Sequence, residues 1–201
     1  CGKRISQSAV LSVVKVLLDT CVLYPTVMRE VLLGVAAEVL FQPLWSQRIL
    51  DEWSRAAAKL GPQGQVQADS EIAMVSARWP NACVVPKPSL LDRLWLPDEN
   101  DIHVLAAAIA GNADVIITMN AKDFPRNILA EEGVSRSDPD AFLIGLYASA
   151  PDHVTRVVNA VHAEANRLSD RPWEVRSLLK KARLPRLGKK FTTERPDYSY
   201  E

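Results

Sequence analysis

The chain has 201 residues, 48% of them apolar, which suffices for one full core with an appendage rather than two equal domains. Three cysteines, Cys1, Cys21 and Cys83, with no C-x-x-C pair, argue against a disulfide framework or a thiolate zinc site and point to a reducing, cytoplasmic setting. The formal charge of zero conceals an acidic body, 15 Lys+Arg against 20 Asp+Glu over residues 1–170, and a basic tail, 9 against 4 over residues 171–201, an asymmetry that suits either phosphate binding or a solvated C-terminus.

Lys3 and Arg4 precede an apolar stretch, but Lys15 interrupts it and Asp19 ends it too early for a membrane span, so neither a secretory signal nor a membrane partner is expected. The run Val13-Val14-Lys15-Val16-Leu17-Leu18 predicts a buried parallel strand that delivers Asp19 to the edge of a sheet. Pro25 then fits the first turn of a helix carrying Val27, Val31, Leu32, Val35 and Val39. Ser46 is the expected N-cap of a second helix whose stripe of Ile49, Leu50, Trp53, Ala57 and Leu60 stops at Gly61-Pro62. Glu52 lies beside that stripe.

A loop over 61–67, a helix to about Arg78 and a short strand at 82–85 follow. Asp98 is placed to cap a helix running to about Ala110, closed by Gly111 or Asn112, and Asp101 then falls in a first turn whose dipole favours an anion. Val115–Met119 reads as a buried strand and 134–136 as a last one. Asp138-Pro139 opens the first of three helices, over 139–148, 151–168 and 172–183, and the polar stretch from Pro185 is ordered only if something holds it. Strands alternating with helices imply a parallel α/β sheet, whose ligands collect at the carboxyl ends of its strands.

Four acidic stations stand out: Asp19, Glu52, the pair Asp98 and Asp101, and Asp123, with no catalytic Ser, Cys or His beside them. Singly, each has an ordinary reading as a cap, a turn former or a solvated residue. Together they suggest hard oxygen ligands for Mg²⁺ or Mn²⁺, of the kind that act on phosphodiesters with two ions about 4 Å apart. Clustered without metal, such acids repel one another and their pKa values rise. Thr118 stands as a group that orients a ligand or substrate, or as local backbone chemistry, and Arg29 as a phosphate contact or a solvated helix residue. His103 reads as a surface or partly packed histidine, and Trp45, Trp53 and Trp95 as core or domain-contact residues.

Read in order, the segments Val16–Leu23, Trp45–Trp53, Pro97–Ala108 and Val115–Pro125 resemble the PIN-domain family, the fold of VapC-type toxins and related ribonucleases. The resemblance covers residues 13 to about 142. It implies a three-layer α/β/α fold with a central parallel sheet over 13–142, an N-terminal extension over 1–12, a C-terminal helical extension over 143–184 and a basic, flexible tail over 185–201. It also implies a metal-dependent endoribonuclease acting on single-stranded RNA, a toxin restrained by a cognate antitoxin, with a homodimer as a further partner state. Asp19, Glu52 and Asp101 would be the core metal ligands, Asp98 an auxiliary acid, and Asn120 with Asp123 the closing side; Asp123 joins the first three as a catalytic acid.

Two departures qualify the resemblance. Many members carry Asp where this chain has Asn120, and Cys21 replaces a frequent Asn, which is expected to remove a hydrogen-bonding group. Two rivals follow: an inactive scaffold that binds RNA or protein, and a phosphatase or dehalogenase using Asp19 as a nucleophile, which normally wants a second Asp at the place of Cys21.

Overall fold

The computed structural model describes residues 13–191. The expected N-terminal extension over 1–12, and the tail beyond 191, lie outside the described residues.

Five parallel strands, β1 (Lys15–Leu18), β2 (Gln42–Ser46), β3 (Cys83–Val84), β4 (Val115–Ile117) and β5 (Ser135–Ser137), form one sheet in the order β3-β2-β1-β4-β5. β2 is absent from the predicted elements because Pro43 argues against a central strand. The ladder explains the tolerance: the Gln42 N–H bonds to the Val14 carbonyl and the Trp45 N–H to the Ala82 carbonyl. Alternation turns the Pro43 nitrogen to the β3 side, where that two-residue strand has not yet begun, so no bond is lost.

The helices between strands are α1 (Thr20–Leu23), α2 (Thr26–Ala37), α3 (Gln47–Ala58), α4 (Pro62–Arg78), α5 (Pro88–Arg93), α6 (Ile102–Ala110) and α7 (Arg126–Glu131). Right-handed crossovers put α2 and α3 on one face of the sheet and α6 and α7 on the other, which makes the three-layer α/β/α sandwich. Three predicted caps are realised, with Ser46 Oγ accepting from the Ile49 N–H at 3.3 Å, Asp98 Oδ1 from the Asn100 N–H at 2.9 Å and Asp138 Oδ1 from the Ala141 N–H at 2.9 Å. Some boundaries differ from expectation, and two short helices were not expected. α4 starts at Pro62 instead of after a loop, because Gly61 takes φ 98 and turns the chain straight into it. α2 stops before Val39, which adopts φ 62 and is exposed. α5 and α7, each of six residues, are too short to show a periodicity.

Four more helices follow: α8 (Pro139–Ser149), α9 (Pro151–Arg167), α10 (Val175–Lys181) and α11 (Pro185–Lys190). They share the core instead of standing apart, since Leu143, Val154, Leu179 and Leu187 belong to the same buried cluster as Val16 and Ile116. α9 lies on α2 so closely that a Cβ on Gly34 would come within 2.5 Å of Val157 Cγ1. The stretch from Pro185, expected to be ordered only if held, is held: buried Asp140 accepts the Arg186 N–H at 2.8 Å and the Leu187 N–H at 2.9 Å, so residues 185–191 are not a flexible tail. Trp45 and Trp53 are core residues, whereas Trp95 is 61% exposed. No helix among the described residues is long and apolar enough to cross a membrane.

Candidate active site

β1 is flanked by β2 on one side and β4 on the other, so the chain reverses its direction of winding there, and a crevice opens beyond the carboxyl ends of β1 and β4. Asp19 leaves β1 into that crevice and Thr118 leaves β4 into it. The Thr118 hydroxyl donates to Asp19 Oδ2 at 2.7 Å, joining residues 99 apart in sequence. The same oxygen accepts from the Cys21 thiol at 3.1 Å, and the Met119 N–H donates to Cys21 Sγ at 3.2 Å. Cys21 therefore fills a hydrogen-bonding place, contrary to the expectation that it removes one. Burial first, then the Asp19 charge, pushes its thiol up to about 12, so at neutral pH it stays a donor and offers no soft thiolate to a metal.

A second strand end and a helix start supply the rest. One oxygen each of Asp98, Asp101 and Asp123 can be chosen so that all lie within 4.8 Å of one another. Asp98 caps a 3-10 turn over Glu99–Asp101 that feeds α6, with Asp101 its last residue, and Asp123 lies in the loop after β4. Asn120 Nδ2 donates to Asp101 Oδ2 at 3.1 Å while its own N–H donates to Thr118 Oγ1 at 3.0 Å. Asp101 is pushed up to about 6, by burial above all and then by the Asp19, Asp98 and Asp123 charges, with His103 opposing. Lys122 Nζ stands 3.7 Å from Asp123 Oδ2.

Glu52, on α3, belongs to a different electrostatic setting. Its Oε2 accepts from the Thr20 hydroxyl at 3.1 Å, and its Oε1 lies 2.9 Å from His103 Nε2, 3.5 Å from Arg48 Nε and 3.8 Å from an Arg55 guanidinium nitrogen. Burial raises this carboxyl, but the His103 contact, reinforced by Thr20 and Arg48, outweighs it and holds Glu52 below the ordinary range. His103 Nε2 is close to Glu52 Oε1 but makes no hydrogen bond of good geometry to it.

Asp19, Asp98, Asp101, Asn120, Asp123 and Thr118 thus share one edge of the sheet, with Glu52 linked to it through Thr20, the residue after Asp19. Arg29 does not reach this edge. It is 2% exposed, donates to the Leu23 carbonyl at 2.9 Å and to Glu71 at 2.8 Å, and stacks 4.5 Å over Trp53, so a substrate phosphate has no access to it. Thr20 went unconsidered in the sequence, and His103, expected to be a surface or partly packed histidine, is 4% exposed and lies against Glu52. His103 had a signal: it is the one polar residue of Ile102–Ala110, and a polar group in a helix apolar on every side is buried and needs a partner.

A family model described as the PIN domain matches residues 15–122. No curated protein matches the chain, and no solved structure does.

Proposed function

The chain belongs to the PIN-domain family, whose members are generally nucleases, and from that premise we propose a metal-dependent endoribonuclease that hydrolyses single-stranded RNA. The observation that carries this reading is the gathering of Asp98, Asp101 and Asp123 beside Asp19 with too little positive charge from the protein to balance them. The donor set fits Mg²⁺ or Mn²⁺: every acidic candidate offers hard oxygens, and the Cys21 thiol beside them is pushed up by burial and the Asp19 charge. Bound there, such an ion would supply a Lewis acid that neutralises phosphodiester charge and makes water nucleophilic at neutral pH.

The protein's own groups set the geometry. Thr118 and Cys21 both donate to Asp19 Oδ2, which fixes the carboxylate and leaves Oδ1 as the oxygen that would serve as a ligand. Asn120 orients Asp101 in the same way, taking the part of an outer partner where many members carry an acid. Thr20 and His103 fix Glu52 as an ionised group at the side. Water would then form a bond to phosphorus in line as the P–O3′ bond breaks, giving up a proton while the leaving 3′ oxygen takes one up to become a 3′-hydroxyl, with no covalent intermediate. Family resemblance extends the proposal to a VapC-like toxin in the cytoplasm, restrained by a cognate antitoxin and able to form a homodimer.

Purified protein with Mn²⁺ should cut single-stranded RNA, and Asp19→Asn should fold yet lose more activity than the roughly 10- to 100-fold that follows loss of an outer partner. Equal cleavage by that variant refutes the assignment. A second reading, an inactive scaffold, takes its support from the amide at Asn120, and calorimetry that finds no Mn²⁺ binding would favour it. The aspartate-nucleophile rival lacks the second acid it needs, since Cys21 occupies that place.

A further inference from the structure

An acidic edge repels the polyanion it is proposed to cut, so a cation must meet the strand beside it. Arg48 and Arg55 lie 3.5 and 3.8 Å from Glu52, Lys122 lies 3.7 Å from Asp123, and Arg29 is buried. Arg183, in the turn between α10 and α11, is different. It is exposed, a guanidinium nitrogen stands 4.0 Å from Met119 Sδ, and no carboxylate pairs with it among the described residues. Met119 lies between Thr118, which bonds Asp19, and Asn120, which bonds Asp101.

We propose that Arg183 is the substrate-positioning cation of this site, gripping a backbone phosphate of the RNA strand as it enters the acidic crevice; this rests on the ribonuclease reading above. An arginine suits the task because its planar fork matches two phosphate oxygens at once. Its backbone is fixed, and its exposed side chain contacts Met119 Sδ without a carboxylate partner among the described residues. The Leu184 N–H donates to the Leu179 carbonyl at 2.8 Å and the Arg183 N–H to Lys180 at 3.1 Å, a helix-ending turn with Arg183 at φ 61. That left-handed position favours glycine, so an arginine is held there against local preference. Leu184 and Leu187 are buried, and Asp140, 4% exposed, clamps the start of α11 onto α8, one residue after the Asp138-Pro139 pair that follows β5. The clamp therefore belongs to the carboxyl edge of the sheet, the edge that carries the acids.

Glycine at 183 removes the cation and relieves the left-handed strain, so a binding defect in Arg183→Gly does not arise from unfolding. In the full chain carrying Asp19→Asn, which leaves the strand intact, binding of a fluorescein-labelled oligouridylate with Mn²⁺ is followed by anisotropy over a salt series. Adding Arg183→Gly should raise Kd several-fold and make the slope of log K against log salt shallower by about 0.7, the share of one phosphate on a single strand. Arg183→Lys should recover most of the slope, and the melting temperature of Arg183→Gly should be unchanged or higher. Arg78→Gln, at the end of α4 and the opposite edge of the sheet, should change neither quantity. An unaltered slope in Arg183→Gly, or an equal loss in Arg78→Gln, overturns the assignment while leaving the ribonuclease reading intact. If the Asp19→Asn protein binds no RNA and the parent cuts none, the ribonuclease reading itself fails and Arg183 loses its role with it.

Discussion

The two halves of the acidic edge treat their charge in opposite ways. Glu52 is surrounded by a hydroxyl, an imidazole and two guanidinium groups, and its carboxyl is held below the ordinary range. Asp101 faces Asp19, Asp98 and Asp123, and its carboxyl is driven up to about 6. The protein balances one half itself and leaves the other to be balanced from outside. Clustered carboxylates destabilise a fold unless something neutralises them, so the unbalanced half is where the proposed cation would bind.

The largest test of that contrast is metal binding. At about 100-fold excess over its Kd, an ion bound to the folded state adds about 2.7 kcal/mol, which for a chain of this size raises the melting temperature by roughly 5–10 °C. Scanning calorimetry with Mn²⁺ should show such a rise in the parent and little in Asp101→Asn, with Glu52→Gln keeping the greater part. A full shift in Asp101→Asn would place the ion elsewhere. A smaller effect should follow removal of the internal partner. His103→Leu leaves the half-buried Glu52 without its nearest counter-group and should cost about 1–3 kcal/mol in urea unfolding. No change would mean that Arg48 and Arg55 suffice.

The smallest effect is a dependence on pH. Asp101 sits above its ordinary 3.8, at about 6, so between those values the folded chain holds a proton that the unfolded chain has released. Its contribution to stability is present at about pH 4 and lost as pH rises through about 6. In EDTA, the melting temperature of the parent relative to Asp101→Asn should decline over that window and level off above it. A rising difference would reverse the sign and remove the case for crowding among the acids.

Much of this was legible from local pattern. The run into Asp19 reads as a buried strand because every residue from Val16 to Leu18 is apolar, and Ser46, Asp98 and Asp138 read as caps because short polar side chains reach back to free backbone N–H groups. β2 was illegible because its Pro43 is harmless only where the neighbouring strand is too short to need its N–H. Arg29 was misjudged for a related reason: helical spacing shows which residues share a face, but not that α4 brings Glu71 to cover this one. The tail beyond Pro185 looked unheld because its anchor, Asp140, lies over forty residues earlier in the chain.

The amino-acid order by itself determined the longer elements, the candidate acids and their sequence on the chain, since periodicity and capping act over a few residues. Tertiary structure alone decided which acids crowd together, which one acquires a histidine, and which arginine comes to lie beside Met119. Charge acts through space between groups brought close by crossovers of the sheet, and separation along the chain carries no measure of that distance.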